Sequence, residues 1–516
     1  MISERKLIMT KRTRSADLGN GTYLNPIMFG HYSDPSVLRD GEDYYMMTGE
    51  SMLYHSQDLV NWEPMYTLYP QTSKYDVHHP WAPDISKHGD TYYYYAFANT
   101  EKHLLFVMTT KDIKNGPWTD PIIMGSAGFT EDGDELIDPA LVFDLAGKPH
   151  LMMSKNCMYP LTDDGLALAG DFVQVADDPP IPDEFDVEGV YTEGPKFCYH
   201  GGYYYMMVAA GGTMGPATAH GTYAYRAKDI HGPWELSPYN PISHTASYKE
   251  TWWSKGHASF IDTPDGEWYI MQHGPLKDYL EQGRMLLLEP IEWTDDGWFR
   301  IPEWAKTDEP LPMPKNGKKV THGYALKADV HNKKLDLAWE MQQNIVPNER
   351  FRFTEDGIYM KAEGEDLNTS EPLLYSVGFP AYEAIAEFEI GEGVGAGLTA
   401  FTVPHACCGI ALKDGFIRIF DQDKPLLSKR FNLREWNSNK IFFKIRYVDH
   451  VVSHWYSADG ENWTKLNICA YVGVYCPQSG FNVNGKTWLR PGIFAYGGEG
   501  EALVKSFEVR EIEVKD

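Results

Sequence analysis

Two aspartates and a glutamate stand in similar settings in the first half of this chain. Asp34 lies in His31-Tyr32-Ser33-Asp34-Pro35-Ser36, Asp138 in Leu136-Ile137-Asp138-Pro139-Ala140, and Glu193 in Tyr191-Thr192-Glu193-Gly194-Pro195. Proline follows each acid at once or one residue later, and a Gly-bearing turn with a run of Tyr, Met or other apolar residues comes further on. Carboxyl groups gathered without a cluster of metal ligands are the usual equipment for breaking a glycosidic bond. One must be protonated, to give its proton to the leaving oxygen, and the other ionised, to activate water on the far face of the sugar. Inversion of the anomeric centre needs about 6.5–9.5 Å between the two, which leaves room for that water. A third carboxylate beside the acid would disfavour its ionisation and keep it proton-loaded. One acid before a proline is most often a turn residue; three in similar register point to chemistry.

Something must carry these acids to one place, and the chain repeats itself. A turn followed by a Tyr-rich or apolar strand recurs at Gly41-Glu42-Asp43-Tyr44-Tyr45, His88-Gly89-Asp90-Thr91-Tyr92, Ala146-Gly147-Lys148-Pro149-His150 (degenerate), His200-Gly201-Gly202-Tyr203-Tyr204 and Asp265-Gly266-Glu267-Trp268-Tyr269. The spacing, roughly fifty to sixty-five residues, is in or somewhat above the range of propeller blades. Short apolar strands precede the turns, as in Ser36-Val37-Leu38, Ala140-Leu141-Val142-Phe143 and Ala258-Ser259-Phe260-Ile261, and each would pair with the strand after it. A second element closes some units: Ser56-Gln57-Asp58-Leu59-Val60-Asn61-Trp62, then Lys111-Asp112-Ile113 through Trp118, then Lys228-Asp229-Ile230 through Trp234. There Asp and Gly make the turn and Trp opens an outer strand.

The expected class is all-β: a five-bladed β-propeller over residues 25–305, after an N-terminal arm over 1–24. Residues 306–320, rich in Pro, Gly and charge, read as a linker. From 321 to 516, period-two runs such as Ala384–Ile390, Phe416–Phe420 and Ile441–Tyr447 predict a β-sandwich. In a propeller the starts of the innermost strands converge on the central cavity. Asp34, Asp138 and Glu193 hold that place in blades one, three and four, Trp81-Ala82-Pro83-Asp84 in blade two and His257 in blade five.

Composition narrows the partners. The chain of 516 residues is 43% apolar and 14% aromatic, with 15 Trp and 33 Tyr, more than packing needs and suited to stacking on sugar rings, although aromatic-rich strands account for them equally well. A net charge of −27 argues against nucleic acid and anionic membranes. Six cysteines, including the neighbours Cys407 and Cys408, make no disulfide framework or zinc pattern. Met1–Asn20 is basic but lacks the apolar core of a signal peptide, so a cytoplasmic location is expected.

Tyr-Ser-Asp-Pro-Ser, Trp-Ala-Pro-Asp, Ile-Asp-Pro-Ala, Thr-Glu-Gly-Pro and Gly-His-Ala-Ser, in this order, resemble the family-43 glycoside hydrolases over about residues 25–305. The resemblance implies an inverting, exo-acting hydrolase that releases a pentose, β-D-xylose or α-L-arabinofuranose, from short plant-derived oligosaccharides. It makes Asp34 the general base, Glu193 the general acid and Asp138 the residue that tunes the acid and orients substrate. It also implies that Trp81 walls the sugar pocket, that Arg284 is the active-site arginine and that His257 touches substrate. No cofactor is required by it, although a divalent cation such as calcium could sit in the propeller centre near His257. Asp84 is expected to be structural, and His78, His79 and His273 are further candidates without a spacing argument. The C-terminal region resembles the concanavalin-A-like sandwich of many exo-acting members, through Gly395-Ala396-Gly397-Leu398, Ser457-Ala458-Asp459-Gly460 and Pro491-Gly492-Ile493-Phe494.

Two other readings stay open. A retaining, invertase-type furanosidase would share the propeller and use an Asp nucleophile. A non-catalytic carbohydrate-binding propeller would need all three acids to be structural. An oligosaccharide is the expected partner, and assembly into a homo-oligomer is compatible with the sequence.

Overall fold

The computed structural model describes all of the chain except residues 1–12, 50, 69–71, 76, 78–79, 99–101, 214, 342–348, 377, 422–433, 474–487 and 513–516. His78 and His79 therefore lie outside the described residues. Strands dominate; the helical elements among the described residues are single 3-10 turns. Among the described residues no helix is long and apolar enough to cross a membrane.

Five antiparallel sheets, each taking its strands in chain order, form the first half. They open with the strands Ser36–Asp40, Pro80–His88, Ala140–Phe143, Thr192–His200 and Gly256–Asp262. These five first strands contact one another in sequence, and the last meets the first, so the sheets are blades around an axis. The Trp of each closing element does stand just before an outer strand: Trp62 before Glu63–Thr67, Trp118 shortly before Ile122–Ser126 and Trp234 before Glu235–Leu236.

The tyrosine runs follow from this stacking. A blade's second strand is buried on both faces, because each face packs on a neighbouring blade, so consecutive residues are apolar instead of alternating. In Thr91–Ala98, Tyr92 and Tyr94 join Tyr45, Met47 and Leu53 of blade one, while Tyr93 and Tyr95 join Leu141 and Leu151 of blade three. Tyr205 and Met207 pack likewise on Phe260 and Ile270, and Tyr44 and Met46 close the ring on Tyr269 and Met271. Fully burying one such side chain contributes about 1.5–3 kcal/mol.

The ends of the ring are sewn together by the arm. Ile27 N–H donates to the Leu286 carbonyl at 2.8 Å, and the Asn25 side chain both donates to the Leu288 carbonyl and accepts from its N–H. Thr22–Tyr23 also pairs with Leu311–Pro312, so part of the 306–320 segment is an edge strand that ties the arm down.

Beyond it the described residues form two antiparallel sheets, of eight and seven strands, that face each other. Ala384, Ala386 and Phe388 of Tyr382–Ile390 meet Ala396, Leu398 and Ala400 of Gly395–Val403 in one core. That core continues through Tyr324 and Leu311 to Tyr23 and blade one, so sandwich and propeller share buried contacts.

Candidate active site

Each blade has one residue of left-handed backbone at the start of its first strand: Asp34 (φ 53°), Ala82 (φ 34°), Asp138 (φ 57°), Gly194 (φ 59°) and His257 (φ 55°). Proline follows in the first four and Ala258 in the fifth. The strand ladder skips at this point in blades two, four and five, between Trp81 and Asp84, Glu193 and Lys196, and Gly256 and Ser259. Positive φ is uncommon for residues other than glycine and collects at functional sites. Aligned on this residue, Asp34, Asp138 and His257 are equivalent. Glu193 is one position earlier, equivalent to Trp81 and Gly256. The expectation that all three acids share one register is corrected by one residue for Glu193.

The side chains nevertheless converge. Asp34 Oδ1 accepts from Arg284 Nη1 at 3.0 Å and lies 3.2 Å from His257 Nδ1. One ligand atom each of Asp138, Glu193 and His257 fall within 4.8 Å of one another. His257 thus stands between Asp34 on one side and the Asp138–Glu193 pair on the other. Asp138 Oδ2 accepts from Gly194 N–H at 2.9 Å, which ties it to the residue next to Glu193. Arg284 also donates to Thr213 Oγ1 at 2.9 Å, and its own N–H donates to His31 Nδ1 at 3.2 Å.

Electrostatics separates the acids. Burial pushes Asp34 towards neutrality, but the Arg284 guanidinium outweighs it and holds the carboxyl well below the usual carboxylate range. Burial raises Glu193 to about 8, with the Asp34 charge adding to it. Burial also raises Asp138 well above its ordinary value, with the charges of Glu193 and Asp34 adding. Asp138 and Glu193 therefore titrate together at the high end, while Asp34 stays ionised.

Three buried histidines floor the site, and burial keeps all three neutral: His257 is lowered to about 3, His220 to about 4 and His273 well below the ordinary value. His273 Nδ1 accepts the Asp34 N–H at 3.1 Å, so its lone pair is engaged and its 3.4 Å approach to Asp34 Oδ1 is no ion pair. His220 stacks on His273 with centroids 5.3 Å apart and places Nε2 3.5 Å from Glu193 Oε1. Two glycines make the room: a Cβ on Gly194 would sit 2.6 Å from His257 Nε2, and one on Gly256 2.6 Å from His220 Nδ1.

Asp84 is a hub of the axis. It accepts from Lys196 Nζ at 2.9 Å, Ser36 Oγ at 3.2 Å and Leu141 N–H at 3.1 Å, so one carboxylate joins four blades. Trp81, at the position Glu193 holds in its own blade, is 44% exposed and rests on Phe97 at 6.0 Å, which leaves ring surface for an apolar sugar face. His220, Lys196 and Thr213 went unread in the sequence. Only Gly194 and Gly256, whose backbones face the His257 and His220 rings, could have hinted at rings packed close to the main chain.

Asp138, Glu193 and His257 lie close enough to share an ion, but two carboxyls and one imidazole give only part of the six to eight ligands calcium takes and water would have to supply the rest. A cation there would also hold ionised the two acids that burial keeps protonated. The residues do not fit a calcium cage.

Comparisons with known proteins agree with this geometry. Residues 23–299, more than half of the chain, match the family described as glycosyl hydrolases family 43. A non-reducing end α-L-arabinofuranosidase of Bacteroides ovatus is 28% identical over 69% of this chain and 67% of its own. A xylosidase/arabinosidase of Humicola insolens is 29% identical over 88% and 90%, and a β-xylosidase of Bacillus subtilis 28% over 89% and 97%. The crystal structure of a xylan β-1,4-xylosidase from Bacillus halodurans superposes over 95% of this chain and all of its own, with a TM-score of 0.78 at 22% identity, which shows a common fold. With a propeller that gathers an ionised and a protonated carboxyl at its axis, and with that match across the blades, the chain belongs to glycoside hydrolase family 43.

Proposed function

We propose that the protein is an inverting, exo-acting pentosidase that removes β-D-xylose or α-L-arabinofuranose from the ends of short oligosaccharides. The observation that carries this is the split between the acids. Arg284 holds Asp34 ionised, while burial beside Asp138 keeps a proton on Glu193 at neutral pH. In the reaction Glu193 gives its proton to the glycosidic oxygen as the bond from that oxygen to the anomeric carbon breaks. A water on the opposite face bonds to that carbon and yields a proton to Asp34. Asp138 holds the Gly194 N–H next to Glu193, while burial and the Asp34 charge favour the protonated form of Glu193. Trp81 offers the stacking face. Exchange with solvent then returns the proton to Glu193 and strips it from Asp34. These residues suffice for the scheme without a metal step. The names of the matched relatives support the pentose glycone and its two alternatives.

The test is the anomer first released from a nitrophenyl xyloside and a nitrophenyl arabinofuranoside, followed by proton NMR. The inverted anomer is expected. A retained anomer, or a trapped glycosyl-enzyme, would move the protein to the retaining class, and tight sugar binding without turnover on either substrate would make it a binding propeller.

A further inference from the structure

Among the described residues Arg284 is the permanently charged cation that meets Asp34, at 3.0 Å, and three residues before it stands a buried carboxylate with no role in the chemistry. Glu281 lies in the turn Leu280–Gln282, is 1% exposed and belongs to blade five. Its side chain reaches across to the sandwich. Tyr447 Oη donates to Glu281 Oε1 at 2.8 Å, and His450 Nδ1 donates to the same oxygen at 2.7 Å. The Glu281 carbonyl accepts from Leu489 N–H at 2.7 Å, so main chain and side chain are both held by the second domain.

The sandwich element that makes this grip is unusual. Asp449-His450 is a two-residue hairpin turn between Lys440–Val448 and Val451–Ser457, closed by the Val448–Val451 pair. Both residues have left-handed backbone, φ 49° and 67°. Such a turn favours Asn-Gly or Asp-Gly, and histidine in its second place is strained. Both side chains are instead used on the propeller. Asp449 Oδ1 accepts from Tyr279 Oη at 2.8 Å, and the His450 ring stacks on the Tyr279 ring at 4.3 Å. Between this grip and Arg284 stands Gly283 (φ 84°), where a Cβ would lie 3.0 Å from both His31 and Trp488. The segment from Tyr279 to Arg284 has little freedom to drift.

We propose that Glu281 is a positioning residue for the hydrolase reaction, through which the Asp449-His450 turn of the sandwich fixes Arg284 against Asp34. The proposal rests on the reading of Asp34 and Arg284 as a working pair. Glu281 also raises His450, by its hydrogen bond and its charge, against the opposing effect of burial, and Asp449 and Asp278 add to this; the grip is that of a charge-assisted bond. Tyr447, Tyr279 and Tyr471 are the other titratable groups packed against the pair.

The experiment is a double-mutant cycle in kcat/KM on the full chain, with thermal unfolding of every variant. Glu281→Ala should lower kcat/KM by about 10–100-fold, mostly through kcat, and Glu281→Gln, which keeps an acceptor for Tyr447 and His450, should recover most of it. In an Arg284→Ala background the Glu281→Ala change should cost less than about twofold more, because its effect runs through the missing arginine. If Glu281→Ala folds poorly, His450→Phe keeps the stack on Tyr279, removes the donor and should show the same non-additivity. Losses that multiply in the double variants would overturn the positioning role alone. Arg284→Ala as active as the parent would overturn it together with the proposed mechanism.

Discussion

Asp34 and His257 hold the same left-handed position in blades one and five, and their side chains meet at 3.2 Å. One slot of the repeat thus provides both an ionised carboxylate and the neutral ring beside it. The difference lies in the residue placed there, not in the backbone that presents it.

Removing the charge at Asp34 should stop the reaction without unfolding the protein. Asp34→Asn keeps the shape and the acceptor for Arg284 but cannot take a proton from water, so kcat should fall by about 10²–10⁴-fold. Steady-state kinetics with circular dichroism checks this; activity within threefold of the parent would exclude Asp34 as the base.

Glu193 should reveal itself through the leaving group. Glu193→Gln cannot donate a proton, so hydrolysis of xylobiose or an alkyl glycoside should fall by about 10²–10⁴-fold. A dinitrophenyl glycoside, whose phenolate leaves unaided, should lose far less. Equal losses on both substrates would contradict an acid role.

The same residue predicts a pH dependence with a definite sign. Glu193 must be protonated to act, and burial raises it to about 8, so activity should decline as pH rises through about 8. Stability follows the same direction. A carboxyl raised on folding favours the folded state fully below its unfolded value and loses that contribution as pH climbs towards the raised value. The melting temperature should therefore drop between about pH 5 and pH 8, and Glu193→Gln should flatten that drop. An unchanged slope in the variant would show that Glu193 is not the group responsible.

Asp84 and Lys196 make a stability prediction. Both side chains are 7% exposed and the pair joins blades two and four. Lys196→Met leaves a buried carboxylate without its cation, which costs about 3–5 kcal/mol. Thermal or urea unfolding measures it, and a loss under 1 kcal/mol would mean that Ser36 and Leu141 satisfy Asp84 by themselves.

Gly194→Ala tests the packing of the site. The new methyl would meet the His257 ring at 2.6 Å on a backbone of positive φ, so activity should collapse. Gly201→Ala is the control: it has φ 56° but nothing within 4 Å of the added carbon, so it should cost stability and leave kcat unchanged.

Much of this was legible in the sequence because blade units repeat locally. The turns at Gly41, Gly89 and Gly201 and the tyrosine runs behind them mark second strands wherever neighbouring blades cover both faces. The one-residue offset of Glu193 was readable too, had the units been aligned on Pro35, Pro83, Pro139 and Pro195 instead of on the acids. Lys196, His220 and the Glu281 grip were not, since each acts on a partner in another blade or domain, over sequence distances on which local pattern is silent.

The five-fold slot also bears on how such a barrel of blades changes its specificity. Four of its positions hold Asp34, Asp138, Gly194 and His257, and the fifth holds Ala82, the one small side chain there besides the glycine that His257 requires. Asparagine and aspartate accept that backbone more readily than other residues. The main chain at Ala82 is therefore already shaped for an asparagine, which would put a hydrogen-bonding side chain into a slot whose equivalents Asp34, Asp138 and His257 each carry one.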